Sequence, residues 1–325
     1  MANILLTNRC VRSCPYCFAK QHLETAPPTD LLTLENLVYI TDFLIAGGES
    51  SVSLLGGEPL LHPQCMAIAK YLTLRGLNVT IFTSGITSPS NLESIKEDLK
   101  YLSPRELNIV VNYNNPDNTA PAEIQRIDAF LEACAPFCSL GINIYRQGFS
   151  YDYVVEAKSR FNLQPSLRIG LAHPIPGTEN NCLPPNKAIM RSMADDLVKA
   201  IPMLENAGMK ISMDCGFPLC AFSDDALGVL YRHNPSGMRF KCGSAIDISP
   251  EMLAWNCFPL ENVHCVSLFE FNSFAELKEH FKDYSRSIRQ NNGIFKECSD
   301  CSHKEICDGG CLSHILKRKN GNIMN

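Results

Sequence analysis

The sequence has no apolar run approaching the ~20 residues that span a bilayer. Its opening run, Met1 to Arg9, lacks the basic segment and long apolar stretch of a secretory signal. An excess of positive charge is missing as well. Lys and Arg number 29 against 34 Asp and Glu, a net charge of −5. That argues against general nucleic-acid binding, which rests on neutralising phosphates. Lys317-Arg318-Lys319 is a local exception and reads as a solvated tail. No internal repeat and no low-complexity linker interrupts the chain. The expectation is a globular, cytoplasmic protein with neither a membrane nor a nucleic-acid partner. With 325 residues, 45% of them hydrophobic, it can bury a large core and form more than one domain.

Cysteine, by contrast, is abundant: there are 16. In a secreted chain that number would suggest disulfides. Without a signal segment, and in a chain too long to need staples, the cysteines read as reduced and largely metal-binding. Three stand near the start, Cys10, Cys14 and Cys17, in the run Cys-Val-Arg-Ser-Cys-Pro-Tyr-Cys. Three close thiolates hold three corners of a four-iron cluster, which normally takes four protein ligands. The iron left open can bind a substrate or cofactor, so the run reads as a site for chemistry.

The spacing Cys-x3-Cys-x2-Cys, with aromatic Tyr16 before the last cysteine, resembles the signature of the radical S-adenosylmethionine (SAM) enzymes. Gly56-Gly57-Glu58-Pro59, after the apolar run Val52 to Leu55, resembles the glycine-rich motif of the same family. The resemblance implies a 4Fe-4S cluster on Cys10, Cys14 and Cys17 whose open iron chelates SAM. It further implies reductive cleavage of SAM to a 5′-deoxyadenosyl radical that abstracts hydrogen from a substrate. An electron donor such as flavodoxin or ferredoxin follows from that chemistry.

Residues 2–214 alternate strand and helix patterns. Strand runs fall at Ile4–Leu6, Val52–Leu55, Val79–Phe82, Leu107–Asn112, Ser139–Tyr145 and Leu167–Leu171. Apolar residues at helical spacing mark helices over 33–46, 62–75, 121–134 and 186–207. Such alternation implies parallel strands joined by crossover helices. With the family resemblance, the expected fold is α/β, a partial (β/α)6 TIM-like barrel over 1–214. Function in such barrels sits at the C-terminal ends of strands, where both motifs lie.

From Cys215 the alternation stops, apart from one helix pattern at about 272–290, and residues 215–325 read as a cysteine-rich domain. Cys298-x2-Cys301-x5-Cys307-x3-Cys311 resembles the core of the SPASM domain, a C-terminal extension of radical SAM enzymes that carries auxiliary 4Fe-4S clusters. Cys242-x14-Cys257 resembles its upstream pair. Two positions depart from that pattern. Leu253 stands where the family usually has a glycine, and no cysteine follows Cys311. One auxiliary cluster is therefore expected to be liganded differently, and Cys215 and Cys220 are available. One partition sets Cys215, Cys220, Cys242 and Cys257 against Cys298, Cys301, Cys307 and Cys311. A second crosses Cys311 over to the first group. A third, resembling the shorter twitch domain, has one cluster on Cys242, Cys257, Cys298 and Cys301. Four cysteines at short spacing also suit structural zinc, and spacing alone does not separate the two.

Around the cofactor, Glu58 is expected to face the SAM amino group, and Gly56 and Gly57 to let the backbone approach. Pro59 completes that turn. Tyr16 is placed near the adenine and Ser84 near SAM. Asn112 and Asn143 are in reach of the ribose, and Arg168 in reach of the SAM carboxylate. For each of the last three an ordinary strand-end role stands beside that one. His173 reads as a surface-loop histidine, with a place in the substrate pocket as the alternative. Cys65, Cys134, Cys138 and Cys182 read as small apolar residues.

SPASM-type members most often modify peptides, so the resemblance implies a ribosomally made precursor peptide that is crosslinked, oxidised or has a tyrosine-derived piece excised. Cys10 stands close to the start, so the leader-binding domain of many such enzymes is expected to be a separate recognition protein. The alternatives are a radical SAM dehydrogenase of a small molecule and, from another class, a non-catalytic iron–sulfur or zinc protein.

Overall fold

A computed structural model describes residues 2–25, 31–115, 119–175, 186–243 and 245–320. The side chains of residues 21, 25, 215, 319 and 320, and all of Cys182, lie outside the described set. The chain runs β1 Ala2–Leu5, α1 Lys20–Thr25, α2 Leu34–Ala46, β2 Ser51–Leu55, α3 Cys65–Leu74, β3 Asn78–Thr83, α4 Pro89–Leu99, β4 Leu107–Asn112, α5 Pro121–Cys134, β5 Cys138–Ile144, α6 Asp152–Arg160, β6 Ser166–Leu171, α7 Lys187–Asn206 and β7 Lys210–Cys215. It continues with α8 Asp224–His233, β8 Ile246–Ile248, β9 Leu253–Asn256, β10 Cys265–Ser267, α9 Phe274–Arg289, α10 Lys304–Cys307 and α11 Leu312–Asn320.

Strands β1 to β7 are parallel neighbours in chain order, and β8, β9 and β10 extend the same sheet on the other side of β1. The outermost strands, β7 and β10, do not pair with each other, so the sheet is a partial barrel. Ala2 is in register with Val52 on one side and Ile246 on the other. Strands such as β5, buried at nearly every position, need cover on both faces. The crossover helices supply it. α2 is N-capped by the Thr33 hydroxyl, which accepts from Asn36 N. It buries Leu37, Ile40 and Leu44 at helical spacing. α5 opens on Pro121 and buries Ile127, Phe130 and Leu131. Phe130 has no exposed surface, so Phe130→Ala would cost about 3–5 kcal/mol.

The second expected helix starts at Cys65 rather than 62. His62 precedes Pro63 and is extended, and Pro59–Leu61 forms a 3-10 turn. Helices α4, α6 and α8 had no expectation. α4 buries only Ile95 and Leu99, too short a stripe to stand out. The region after 215, which read as irregular, contributes three strands. In β8 the middle residue is the buried Asp247, which hides the strand pattern and accepts a hydrogen bond from Asn3 Nδ2 at 2.6 Å. No helix among the described residues is long and apolar enough to cross a membrane.

Candidate functional site

The loop after β1 and the turn after β2 are laced together beyond the ends of their strands. Gly57 N donates to Thr7 O at 2.9 Å and Glu58 N to Arg9 O at 2.7 Å. A Cβ on Gly57 would sit on the Arg9 carbonyl carbon and oxygen, and one on Gly56, where φ is +142°, would meet Thr7 O. The two glycines are therefore needed for this close approach of chain to chain. The lacing holds the cysteine loop at the C-terminal end of the central strands. A cavity of about 460 Å³ opens there, lined by Cys10, Cys14 and Cys17 with Arg9, Arg12 and Lys20. Burial pushes the Cys10 thiol up and the Cys17 thiol to about 11, and both feel the charge of Cys14.

Glu58 is 1% exposed. Its Oε1 accepts from Leu60 N at 3.1 Å and the Thr83 hydroxyl at 2.6 Å. Its Oε2 accepts from Ser84 N at 2.8 Å and the Ser84 hydroxyl at 2.5 Å. Burial pushes the carboxyl pKa up, against these donors, which pull it down. Four donors fill the lone-pair sites of a carboxylate. Two of them are hydroxyls, which rotate and can surrender their place.

Further along the sheet, the register sets Asn112, Gly141 and Arg168 in one row across β4, β5 and β6. Asn143 shares their face, two residues beyond Gly141. Asn112 Oδ1 and Arg168 Nε are buried with no hydrogen-bond partner. Arg168 pairs with Asp214 and lies 4.9 Å over the Phe82 ring. Tyr16 stacks on Tyr145 with ring centroids 5.0 Å apart, and its hydroxyl pairs with the Asn114 amide. Burial raises the Tyr16 pKa. Arg12, which no motif pointed to, reaches from the cysteine loop to Glu123 on α5 at 3.1 Å, its side chain only 7% exposed. A cation between two cysteines of the motif was the one available sequence signal.

In the cysteine-rich region, Leu219 N donates to Cys307 Sγ at 3.4 Å. The neighbouring Cys220 thiol feels the charges of Cys307 and Cys298. Cys311 instead meets His173, whose ring is hydrogen-bonded to its sulfur. His173 is 3% exposed, which corrects its reading as a surface-loop residue. Cys257 closes β9 at φ +76°. The left-handed position of the turn before β9 is taken by Met252, φ +65°, one residue before Leu253. Cys301 is exposed. Among the described residues, no three His, Cys, Asp or Glu side chains close around a single ion. Cys65, Cys134 and Cys138 are buried in the core, as expected of small apolar residues.

Residues 4–147 match the family model of the Radical SAM superfamily. The chain belongs to that superfamily. The radical SAM chain is 34% identical over 96 residues to the mitochondrial GTP 3′,8-cyclase of Arabidopsis thaliana, covering 29% of this chain and 25% of that one. It is 32% identical over 126 residues to molybdenum cofactor biosynthesis protein 1 of Bos taurus, covering 38% and 18%. The matches thus span a quarter or less of those relatives' length. Among solved structures, its fold is similar to that of Streptococcus suis SuiB bound to precursor peptide SuiA. The TM-score is 0.65 at 17% identity, covering 95% of this chain and 71% of SuiB. It is also similar to native anSMEcpe with bound AdoMet and Cp18Cys peptide, at TM-score 0.60 and 14% identity, covering 98% and 94%. At such identities the likeness is one of fold.

Proposed function

We propose that this radical SAM enzyme modifies a ribosomally made peptide, with residues 1–214 as the catalytic barrel and 215–325 as an extension carrying auxiliary 4Fe-4S clusters. The observation that carries the radical SAM site is the lacing of the three-thiol loop onto the Gly56–Pro59 turn. The donor set fits a cluster: three cysteines share one cavity, and Arg9, Arg12 and Lys20 offset the negative charge that thiolates bring. The cradle fits SAM: unspent Asn112 Oδ1 and Arg168 Nε lie on one face of the sheet. When bound, cluster and SAM together supply a 5′-deoxyadenosyl radical for hydrogen abstraction.

The chain's own residues do the positioning. Cys10, Cys14 and Cys17 hold the cluster. Thr83 and Ser84 give up hydroxyl bonds so that Glu58 can accept from an amino group, while the backbone N–H groups of Leu60 and Ser84 keep its carboxylate oriented. Asn112 and Asn143 meet hydroxyls, and Arg168 meets a carboxylate in exchange for Asp214. The Tyr16–Tyr145 stack walls one side of the loop.

The peptide reading draws support from the shared fold with two proteins whose structures hold peptides. Partial similarity to GTP 3′,8-cyclases keeps a small-molecule substrate as the second reading. The test is anaerobic reconstitution with reductant, SAM and a precursor peptide encoded beside the enzyme, followed by mass spectrometry. A mass change in the peptide that depends on Cys10, Cys14 and Cys17 supports the proposal. SAM cleavage with the peptide unchanged, with or without a recognition protein, moves the assignment to a small molecule.

A further inference from the structure

We infer that Cys220 is the fourth ligand of the metal centre formed by Cys298, Cys301 and Cys307, an inference that rests on the auxiliary-cluster reading proposed above. None of the partitions available from sequence puts these four together. Three observations do.

The first is the placement of Cys220. It lies in the 3-10 turn Leu219–Ala221, just after β7. The residue before it, Leu219, spends its backbone N–H on Cys307 Sγ at 3.4 Å, so the turn is fastened to the cysteine loop. Burial raises the Cys220 thiol pKa, Lys187 opposes that, and the charges of Cys307 and Cys298 raise it further. Cys307 in turn feels Cys298. Cys301 follows Cys298 around one 3-10 turn, Lys296–Asp300.

The second observation is that Cys311, the fourth member of the local motif, is engaged elsewhere. Its sulfur is bound by His173 and by the backbone N–H groups of Ser313 and His314. The Ser313 hydroxyl bonds Pro174 O, and the His314 ring packs edge-on against His173. These contacts hold Cys311 against the segment that follows β6, leaving a vacancy for one more thiolate beside Cys298, Cys301 and Cys307.

The third is charge. A four-thiolate cluster is anionic, and two lysines from outside the loop reach it. Lys187 lies 3.8 Å from Glu297 with its Nζ 5.8 Å from the Phe295 ring centroid. Lys241 donates to Glu305 O and lies 3.6 Å from Asp308. Arg191 Nε donates to Cys220 O, tying the turn to α7. Soft thiolates with cations nearby suit an iron–sulfur cluster.

The test counts iron, sulfide and zinc in anaerobically reconstituted full-length protein, with Mössbauer spectra. Cys220→Ala is expected to lose about four irons and four sulfides, as Cys298→Ala does. The double variant should lose no more than either single one. Cys265→Ala, an exposed cysteine outside the group, should keep the wild-type count. Cys220→Ser should retain the irons with an altered spectrum from oxygen ligation, which guards against Cys220→Ala simply misfolding. The inference is overturned if Cys220→Ala and Cys220→Ser both keep wild-type iron and spectrum while Cys298→Ala loses a cluster. If Cys10/Cys14/Cys17→Ala removes all iron, the auxiliary-cluster reading itself falls. Zinc in place of iron at these four cysteines would overturn the cluster assignment in favour of a structural zinc site.

Discussion

The ring of His173, just beyond β6, is hydrogen-bonded to the sulfur of Cys311 at the start of α11. Burial would push that thiol up, but the charge and hydrogen bond of His173, with two backbone N–H groups, hold it down to about 7. A metal-bound thiolate carries no proton, so with Cys311 as a ligand the histidine must donate. Donors to sulfur stabilise the reduced, more negative state of a cluster. His173→Ala should therefore lower the midpoint potential of the centre that Cys311 ligates, by on the order of tens of millivolts, with iron content unchanged. His173→Gln, which keeps a donor, should recover part of the shift. Redox titration followed by electron paramagnetic resonance reads both. Identical potentials in all three proteins would mean that the contact is packing alone.

Arg12 and Glu123 make a second long-range tie, from the cysteine loop to α5. The Arg12 side chain is largely withdrawn from water while Glu123 is about one-third exposed, so removing the acid strands a cation. Glu123→Ala is expected to cost about 1–2 kcal/mol and Arg12→Ala a similar amount, with the double variant well short of their sum. The same variants should lose iron from the first cluster faster when challenged with a chelator. Strict additivity in thermal denaturation would show that the pair is not coupled.

These two ties also mark where the sequence stopped being legible. Motifs written in consecutive residues were readable: Cys10 to Cys17 and Gly56 to Pro59 stand where parallel strands end, and the alternation of apolar runs foretold the sheet. The ties of His173 to Cys311, Arg12 to Glu123 and Cys220 to Cys307 close only in space, and local periodicity carries no trace of them. Strand β8 escaped notice for a different reason: three residues with an acid in the middle do not alternate like a half-buried strand. The glycine role shifted too. Gly56 and Gly57 were expected to admit a cofactor, and the structure uses them first to admit the backbone of Thr7 and Arg9.

That last point is open to measurement. In Gly57→Ala the new Cβ meets backbone atoms of Arg9 and Cys10, which cannot swing aside as a side chain would. The substitution should destabilise by roughly 1–3 kcal/mol or more. It should also reduce iron incorporation at the first cluster, because the laced hydrogen bonds Gly57 N–Thr7 O and Glu58 N–Arg9 O lengthen. Gly76→Ala, a left-handed glycine with open space around it, controls for the general cost of losing a glycine. Equal iron content in both variants would assign Gly57 no part in placing the loop.

Asp247 provides a pH test independent of any metal. It is 2% exposed in the centre of β8, bonded to Asn3. Burial pushes its pKa up to about 7, against the pull of Asn3, the Phe258 N–H and the charge of His22. The unfolded chain has the ordinary value near 3.9. Below about pH 4 both states hold the proton, and the stability associated with it is fully present. As pH rises towards 7 the unfolded chain gives up the proton while the folded one keeps it, so stability falls with pH and levels off above the folded value. The whole change amounts to roughly 4 kcal/mol at most. Asp247→Asn should remove this component, so the variant gains on the parent between pH 5.5 and pH 8. Trp255, the only tryptophan, is in register with Asp247 on β9, and its fluorescence reports unfolding at the position concerned. Parallel pH profiles for parent and variant would mean that Asp247 is already ionised in the folded protein, with Asn3 and the Phe258 N–H holding the charge.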